Sequence, residues 1–121
     1  MNELLTDQKS IYLQICDMLE TDILRGILLE EERVPSTNEL AKLYTINPAT
    51  AAKGINRLVD DGVLYKKRGI GMFVAAGAAE KIRARRRAEF QQKQLSQLLH
   101  DAKSLGITIE DLITMIQQQE E

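Results

Sequence analysis

The stretch "INPATAAKGINRLVDDGVL", residues 46–64, decides the fold. Asn47 suits the capping position before a helix, and Pro48 follows at the first helical position, where its missing N–H costs nothing. The helix so begun runs to about Asp61, where Gly62 is placed to stop it. At about 100° per residue, Ala51, Ile55, Leu58 and Val59 share the core face. Thr50, Lys53 and Arg57 lie opposite, flanked by Ala49 and Asn56. The first two turns carry Ala49, Thr50, Ala51, Ala52 and Gly54 in place of bulky groups, so the backbone could approach another molecule closely. A helix that is small at its start and then polar and basic suits the major groove of DNA. There a recognition helix meets base edges with its N-terminal residues, and its free N–H groups attract phosphate.

Working outward, "STNELAKLY" (36–44) opens with Ser36 and Glu39 at capping-box spacing. A short helix therefore starts at Ser36 and turns Leu40, Ala41 and Leu43 inward; "TIN" is the turn that follows. Residues 9–25 read as an amphipathic helix, with Ile11, Ile15, Met18, Leu19 and Ile23 at helical spacing and Gly26 ending it. "ILLEEERVP" is a connector, in which Pro35 disfavours helix at Val34. Beyond the opening stretch, "VLYKK" and "GMFVA" read as two strands joined by "RGI", with Gly69 and Gly71 permitting a tight turn. From Gly77 onward the pattern is helical again: one long segment over about 79–104, a break at "LGIT", and a last helix capped by Thr108 that carries Ile109, Leu112, Ile113 and Ile116. The final "QQQEE" is expected to fray. The fold class is mainly α: a winged helix-turn-helix of three helices and a β-hairpin wing over residues 1–75, then a short two-helix C-terminal segment over 76–121.

Composition agrees with one small domain and an appendage in 121 residues. Aromatics make up only 4%, with no Trp, so the core must rest on Leu, Ile, Val and Ala. Cys16 is the single cysteine; it can form no internal disulfide and falls in an apolar helical pattern, which makes it a packed residue. No apolar run approaches the length of a membrane span, and "MNELLTDQKS" lacks the basic-then-apolar form of a signal peptide, which points to the cytoplasm. A net charge of −2 argues against nucleic acid only when read globally. Over residues 42–71, six cations (Lys42, Lys53, Arg57, Lys66, Lys67, Arg68) face two carboxylates (Asp60, Asp61), a local excess of four. His100 stands alone, and no metal-ligand spacing, nucleophile–base pair or phosphate loop appears. Neither a metal, a cofactor nor an enzymatic activity is expected.

"IYLQICDMLETDILRGIL" followed by "RVPSTNELAKLYTINPATAAKGINRLVDDGVLYKKRGIGMFV" resembles the DNA-binding domain of GntR-type bacterial transcription regulators, over about residues 9–75. Its strongest elements are "RVPS", the "LA…NPAT…INRL" pattern, "DGVL" and the wing "RGIGMFV". The resemblance implies DNA contacts at Arg33, Ser36, Thr37 and Asn38 around the start of the second helix. In the turn and recognition helix the contact positions fall on Asn47, Pro48, Thr50 and Ala52, and in the wing on Arg68 and Gly69. Asn38, Pro48 and Ala52 stand where many members carry arginine, so Lys53, one residue later, is the substitute cation, with Arg57 a turn beyond.

The short tail resembles the YtrA-like subgroup, which lacks a large ligand-binding domain, dimerises through two helices and often sits beside transporter operons. The bare pattern points the same way. Ile82, Leu95, Leu98, Leu99, Ala102 and Leu105 can form an apolar strip, and Leu112, Ile113 and Ile116 another, more than one small head can cover. Pairing with a second copy would bury them; folding back as internal core is the alternative. Lys81, Arg83, Arg85, Arg86 and Arg87 read as the solvated face of a linker helix, partly offset by Glu80 and Glu89, with DNA phosphate as the other reading. A small apolar cavity between tail and head could take a small-molecule effector, though no constellation identifies one. The expectation is a dimeric regulator, a repressor on a pseudo-palindromic double-stranded operator. The alternative is a winged-helix module that binds protein and has lost DNA contact.

Overall fold

The computed structural model describes residues 10–119. Lys9, the "MNELLTDQK" opening and the last two glutamates lie outside the described residues. The order of elements is α1 (Ile11–Leu24), α2 (Thr37–Tyr44), α3 (Pro48–Asp60), β1 (Leu64–Lys67), β2 (Gly71–Val74), α4 (Ala78–Phe90), α5 (Ser96–Ser104) and α6 (Ile109–Gln118). This is a mainly helical winged helix-turn-helix with a helical tail.

Local chemistry sets the helix starts. Ser36 Oγ accepts from the Glu39 N–H at 3.1 Å while Glu39 Oε1 accepts from the Ser36 N–H at 3.0 Å, a complete capping box. Asn47 Oδ1 accepts from the Ala49 N–H at 2.8 Å, and Pro48 follows as expected. At the far end of α3, Gly62 takes a φ of 76°, which its missing β-carbon allows. Thr108 caps α6 with Asp111 returning the bond, a second capping box.

The core of the first unit joins Ile15, Leu19 and Ile23 of α1 to Leu40 of α2, Ile55 and Leu58 of α3, and Val63, Leu64 and Val74 of the hairpin. Leu43 departs from expectation. It is 60% exposed, and Tyr44, one turn on from Leu40, packs against the core in its place. Ile82 departs too, being fully buried in this core with Ala78. A charged sequence that buries one residue per two turns gives little periodic signal, so Ile82 groups by pattern with the tail stripe although it packs elsewhere.

β1 and β2 pair antiparallel in the register Leu64↔Val74, Tyr65↔Phe73, Lys66↔Met72 and Lys67↔Gly71. The connector before α2 adds to the far side of β2: the Glu31 N–H donates to Val74 O, the Val74 N–H to Glu32 O, and the Val34 N–H to Met72 O.

Two compact units divide at Arg83 and Ala84. In the second, Gln91–Leu95 forms a π-helical turn between α4 and α5, so the expected single helix contains an irregular turn. A Gly106 turn with φ 72° follows α5, the Ile107 N–H donating to Ala102 O at 2.8 Å. Helix continues through Gln118 and stops before Gln119, and the rest of the end expected to fray lies outside the described residues. Of the apolar tail residues, Ala102 and Leu112 are buried, while Leu98, Leu99, Leu105, Ile109, Ile113, Met115 and Ile116 are exposed. Among the described residues no helix is long and apolar enough to cross a membrane.

Candidate nucleic-acid interface

The recognition helix presents a mixed face. Lys53, Asn56 and Arg57 are exposed, Thr50 is half-buried, and Ala49 and Ala52 leave the start of the face low. Ala49, Ala52, Lys53, Asn56 and Arg57 line an open concavity with Tyr12, Asp60 and Asp61. Not all the small residues look outward. Ala51 is buried in the core and Gly54 against α1, where a β-carbon at residue 54 would stand 2.9 Å from the Tyr12 carbonyl oxygen. Part of the smallness of α3 therefore serves a close helix–helix crossing, and only Ala49, Thr50 and Ala52 remain to admit a partner.

Lys53 carries a contact that no sequence pattern announces. Its ammonium lies 4.2 Å from the centroid of the Tyr12 ring. The two residues are far apart in sequence, and only the α1–α3 crossing brings them together.

At the start of α2, Thr37 is half-buried and Asn38 exposed. The Ser36 hydroxyl is engaged in the capping box, and Asn47 Oδ1 in its own cap, so these two side chains position helix ends. Their remaining donors are what they can offer to a phosphate. Glu39 titrates below the usual carboxylate range, chiefly because the Ser36 backbone N–H bonds to it, then through the Ser36 side chain and the nearby Arg33 charge. The Arg33 guanidinium approaches Glu39 at 4.0 Å and crosses the strand at Gly71, where a β-carbon would meet its Nε at 2.8 Å. Arg33 also forms a bridge with Phe73, so this one residue ties the approach to α2 to the wing.

Arg68 and Gly69 are exposed at the tip of the wing, the Ile70 N–H donating to Lys67 O to close the turn. Lys67, on the same face as Tyr65 and Phe73, sits 4.5 Å from the Phe73 ring centroid. It is a cation that motif reading passes over, and alternation along β1 could have placed it. The Tyr65 hydroxyl donates to the Glu31 carboxylate, and that hydrogen bond raises the Tyr65 pKa.

The basic run of α4 is partly tied internally. Arg83 pairs with Glu80 at 2.8 Å, Arg85 with Glu89 at 3.4 Å, and Lys81 donates to Gly62 O at 3.2 Å. These contacts favour the solvated-helix reading of that run. Among the described residues no group of three or more His, Cys, Asp or Glu side chains could hold a metal ion.

Residues 11–74 match the family described as bacterial regulatory proteins, gntR family. The chain is similar to the HTH-type transcriptional repressor YtrA of Bacillus subtilis, 30% identical over 108 residues that cover 89% of this chain and 82% of that protein. A crystal structure of a GntR-family transcriptional regulator from Bacteroides thetaiotaomicron superposes with a TM-score of 0.76 at 38% identity, covering 91% of this chain and 99% of that one. The structure of AraR(DBD) in complex with operator ORX1 matches 62% of this chain and 92% of its own, with a TM-score of 0.54 at 30% identity. The chain belongs to the GntR family of bacterial regulatory proteins and is a DNA-binding transcription regulator, not an enzyme.

Proposed function

We propose that the chain acts in the cytoplasm as a homodimeric repressor on a pseudo-palindromic operator. The observation that carries this is the pairing of an exposed Lys53–Arg57 face on a capped recognition helix with a tail whose apolar side chains stand open to solvent. Lys53 and Arg57 read bases or adjoining phosphates in the major groove. Asn47 and Thr50 approach the backbone at the start of α3. Arg33, Ser36, Thr37 and Asn38 hold phosphate at the start of α2, and Arg68 with Gly69 follows the neighbouring groove. Similarity to a protein named as a repressor supports repression, and the AraR(DBD)–operator complex supports the mode of binding.

The head is the DNA-binding part and the helical tail the dimerisation part. Leu99, Ala102, Ile107, Ile109 and Leu112 line an open, largely apolar groove of about 490 Å³ within the tail. A second copy is the occupant assigned to it, with Leu95, Leu98, Leu105, Ile113 and Ile116 assigned to the same interface. Burying a leucine fully contributes about 1.5–3 kcal/mol, so several per subunit can offset the roughly 4–15 kcal/mol lost on association. The dimer then sets two recognition helices ~34 Å or a multiple apart. Footprinting on the DNA upstream of its own gene tests the proposal: two protected half-sites with that spacing are expected. Binding without sequence preference would overturn it.

A further inference from the structure

We infer that Tyr12, on the first turn of α1 and outside the helix-turn-helix, is a positioning residue that sets which base Lys53 reads. The inference rests on the reading of Lys53 as a base contact. Its starting point is the crossing of α1 and α3. Gly54, next to Lys53, offers no side chain, and α3 lies so close to α1 that a β-carbon there would stand 2.9 Å from the Tyr12 carbonyl oxygen and 3.4 Å from the Ile15 side chain. That approach brings the Tyr12 ring beside the neighbouring residue of α3. The Lys53 ammonium lies 4.2 Å from the ring centroid, within cation–π range.

The ring is suited to the task. A lysine on four methylenes can reach any nearby phosphate, and such contacts carry no sequence information. An acidic partner would hold the ammonium but also neutralise it and occupy its donors. The face of an aromatic ring attracts the charge and leaves N–H donors free for acceptors such as guanine O6 and N7. Tyr12 lines the same open concavity as Lys53, Ala49, Ala52 and Asn56, so the restrained ammonium lies along the exposed face of α3. Asp60 and Asp61 stand about two turns later, beside Arg57. Tyr12 is half-buried, so its ring is supported by the fold and does not swing freely.

The test is a double-mutant cycle on the full-length protein, read as the ratio of affinities for the footprinted operator and for operators substituted at the base that Lys53 contacts. Tyr12→Leu should lower that ratio about two- to fivefold, the size of an exposed cation–π contact. Tyr12→Phe should retain it, and in a Lys53→Ala background Tyr12→Leu should change nothing further. An unaltered ratio in Tyr12→Leu, or an equal loss in both backgrounds, overturns the role of Tyr12 while leaving Lys53 as a reader. Lys53→Ala without effect on the ratio overturns the reading of Lys53 and the role of Tyr12 with it. A second measurement holds even if Tyr12→Leu does not fold. The ε-methylene protons of Lys53 should be shifted upfield by the ring in the wild type and in Tyr12→Phe, and random-coil shifts there would reject the contact.

Discussion

Cys16 donates its thiol hydrogen to the carbonyl oxygen of Gly54 across 3.1 Å, joining α1 to α3 where Gly54 leaves room for no side chain. Burial, and after it the Glu20 charge, pushes this thiol up to about 11, so it remains a protonated donor at neutral pH. The first prediction follows from the same crossing. Gly54→Ala would gain about 1 kcal/mol of helix propensity. Its methyl group, however, would press on the Tyr12 backbone, which cannot yield as a side chain end could, and overpacking of this kind costs about 1–3 kcal/mol. Thermal unfolding should show a net loss of stability; a melting temperature at or above that of the wild type would mean the helices separate without cost.

Ser36→Ala should act on folding as well as on DNA. Losing the cap costs about 1 kcal/mol, seen as a lower denaturant midpoint. The Glu39 carboxyl, held low by Ser36, contributes stability that is present above the ordinary carboxylate pKa and is lost as pH falls through its lower folded value. In the variant, its NMR titration should move up toward the ordinary value. A titration that stays in place would assign the depression to the residue-36 backbone N–H, which the variant keeps, and after it to Arg33.

Arg68→Ala should weaken binding to all sequences alike and reduce the salt slope by roughly one unit, as expected for a wing-tip arginine on phosphate. Titrations at several salt concentrations decide this. Loss of sequence preference at an unchanged slope would make Arg68 a groove reader.

The tail prediction depends on where the head ends. A fragment ending at Ala76 would delete Ala78 and Ile82 from the core, and losing a buried residue of that size costs about 2–5 kcal/mol. It would also remove the Gly77 N–H that donates to Glu30 at 2.8 Å. A fragment ending at Arg83 keeps both. It should sediment as a folded monomer that binds a half-site weakly; a dimer as strong as the full chain would put the interface in the head.

Much of the head was legible because its boundaries are written locally. Ser36 with Glu39, Asn47 with Pro48, and Gly62 each act over a few residues, and the structure uses every one. What stayed hidden depends on partners distant in sequence. Leu43 and Tyr44 both fit a helical stripe, and only the shape of the core selects Tyr44. The π-helical turn at Gln91–Leu95 lies in a run of glutamines and one lysine with no marker for it. Among site residues, the exposure of Lys53 and Arg57 followed from angular position alone. The Tyr12–Lys53 contact and the inward turn of Gly54 need the α1–α3 crossing, and the Arg33–Phe73 bridge needs the connector laid along β2.

The second row of hydrogen bonds on the wing, from the connector to β2, has a consequence for solubility. A protruding two-stranded hairpin has two open edges, and such edges invite strands from other molecules. Here the connector at Glu31–Val34 already occupies the outer edge of β2. The other edge belongs to β1, four residues long and ending in Lys66 and Lys67, a short and charged template for sheet growth. The wing can therefore project from the head without offering a long open edge to another strand.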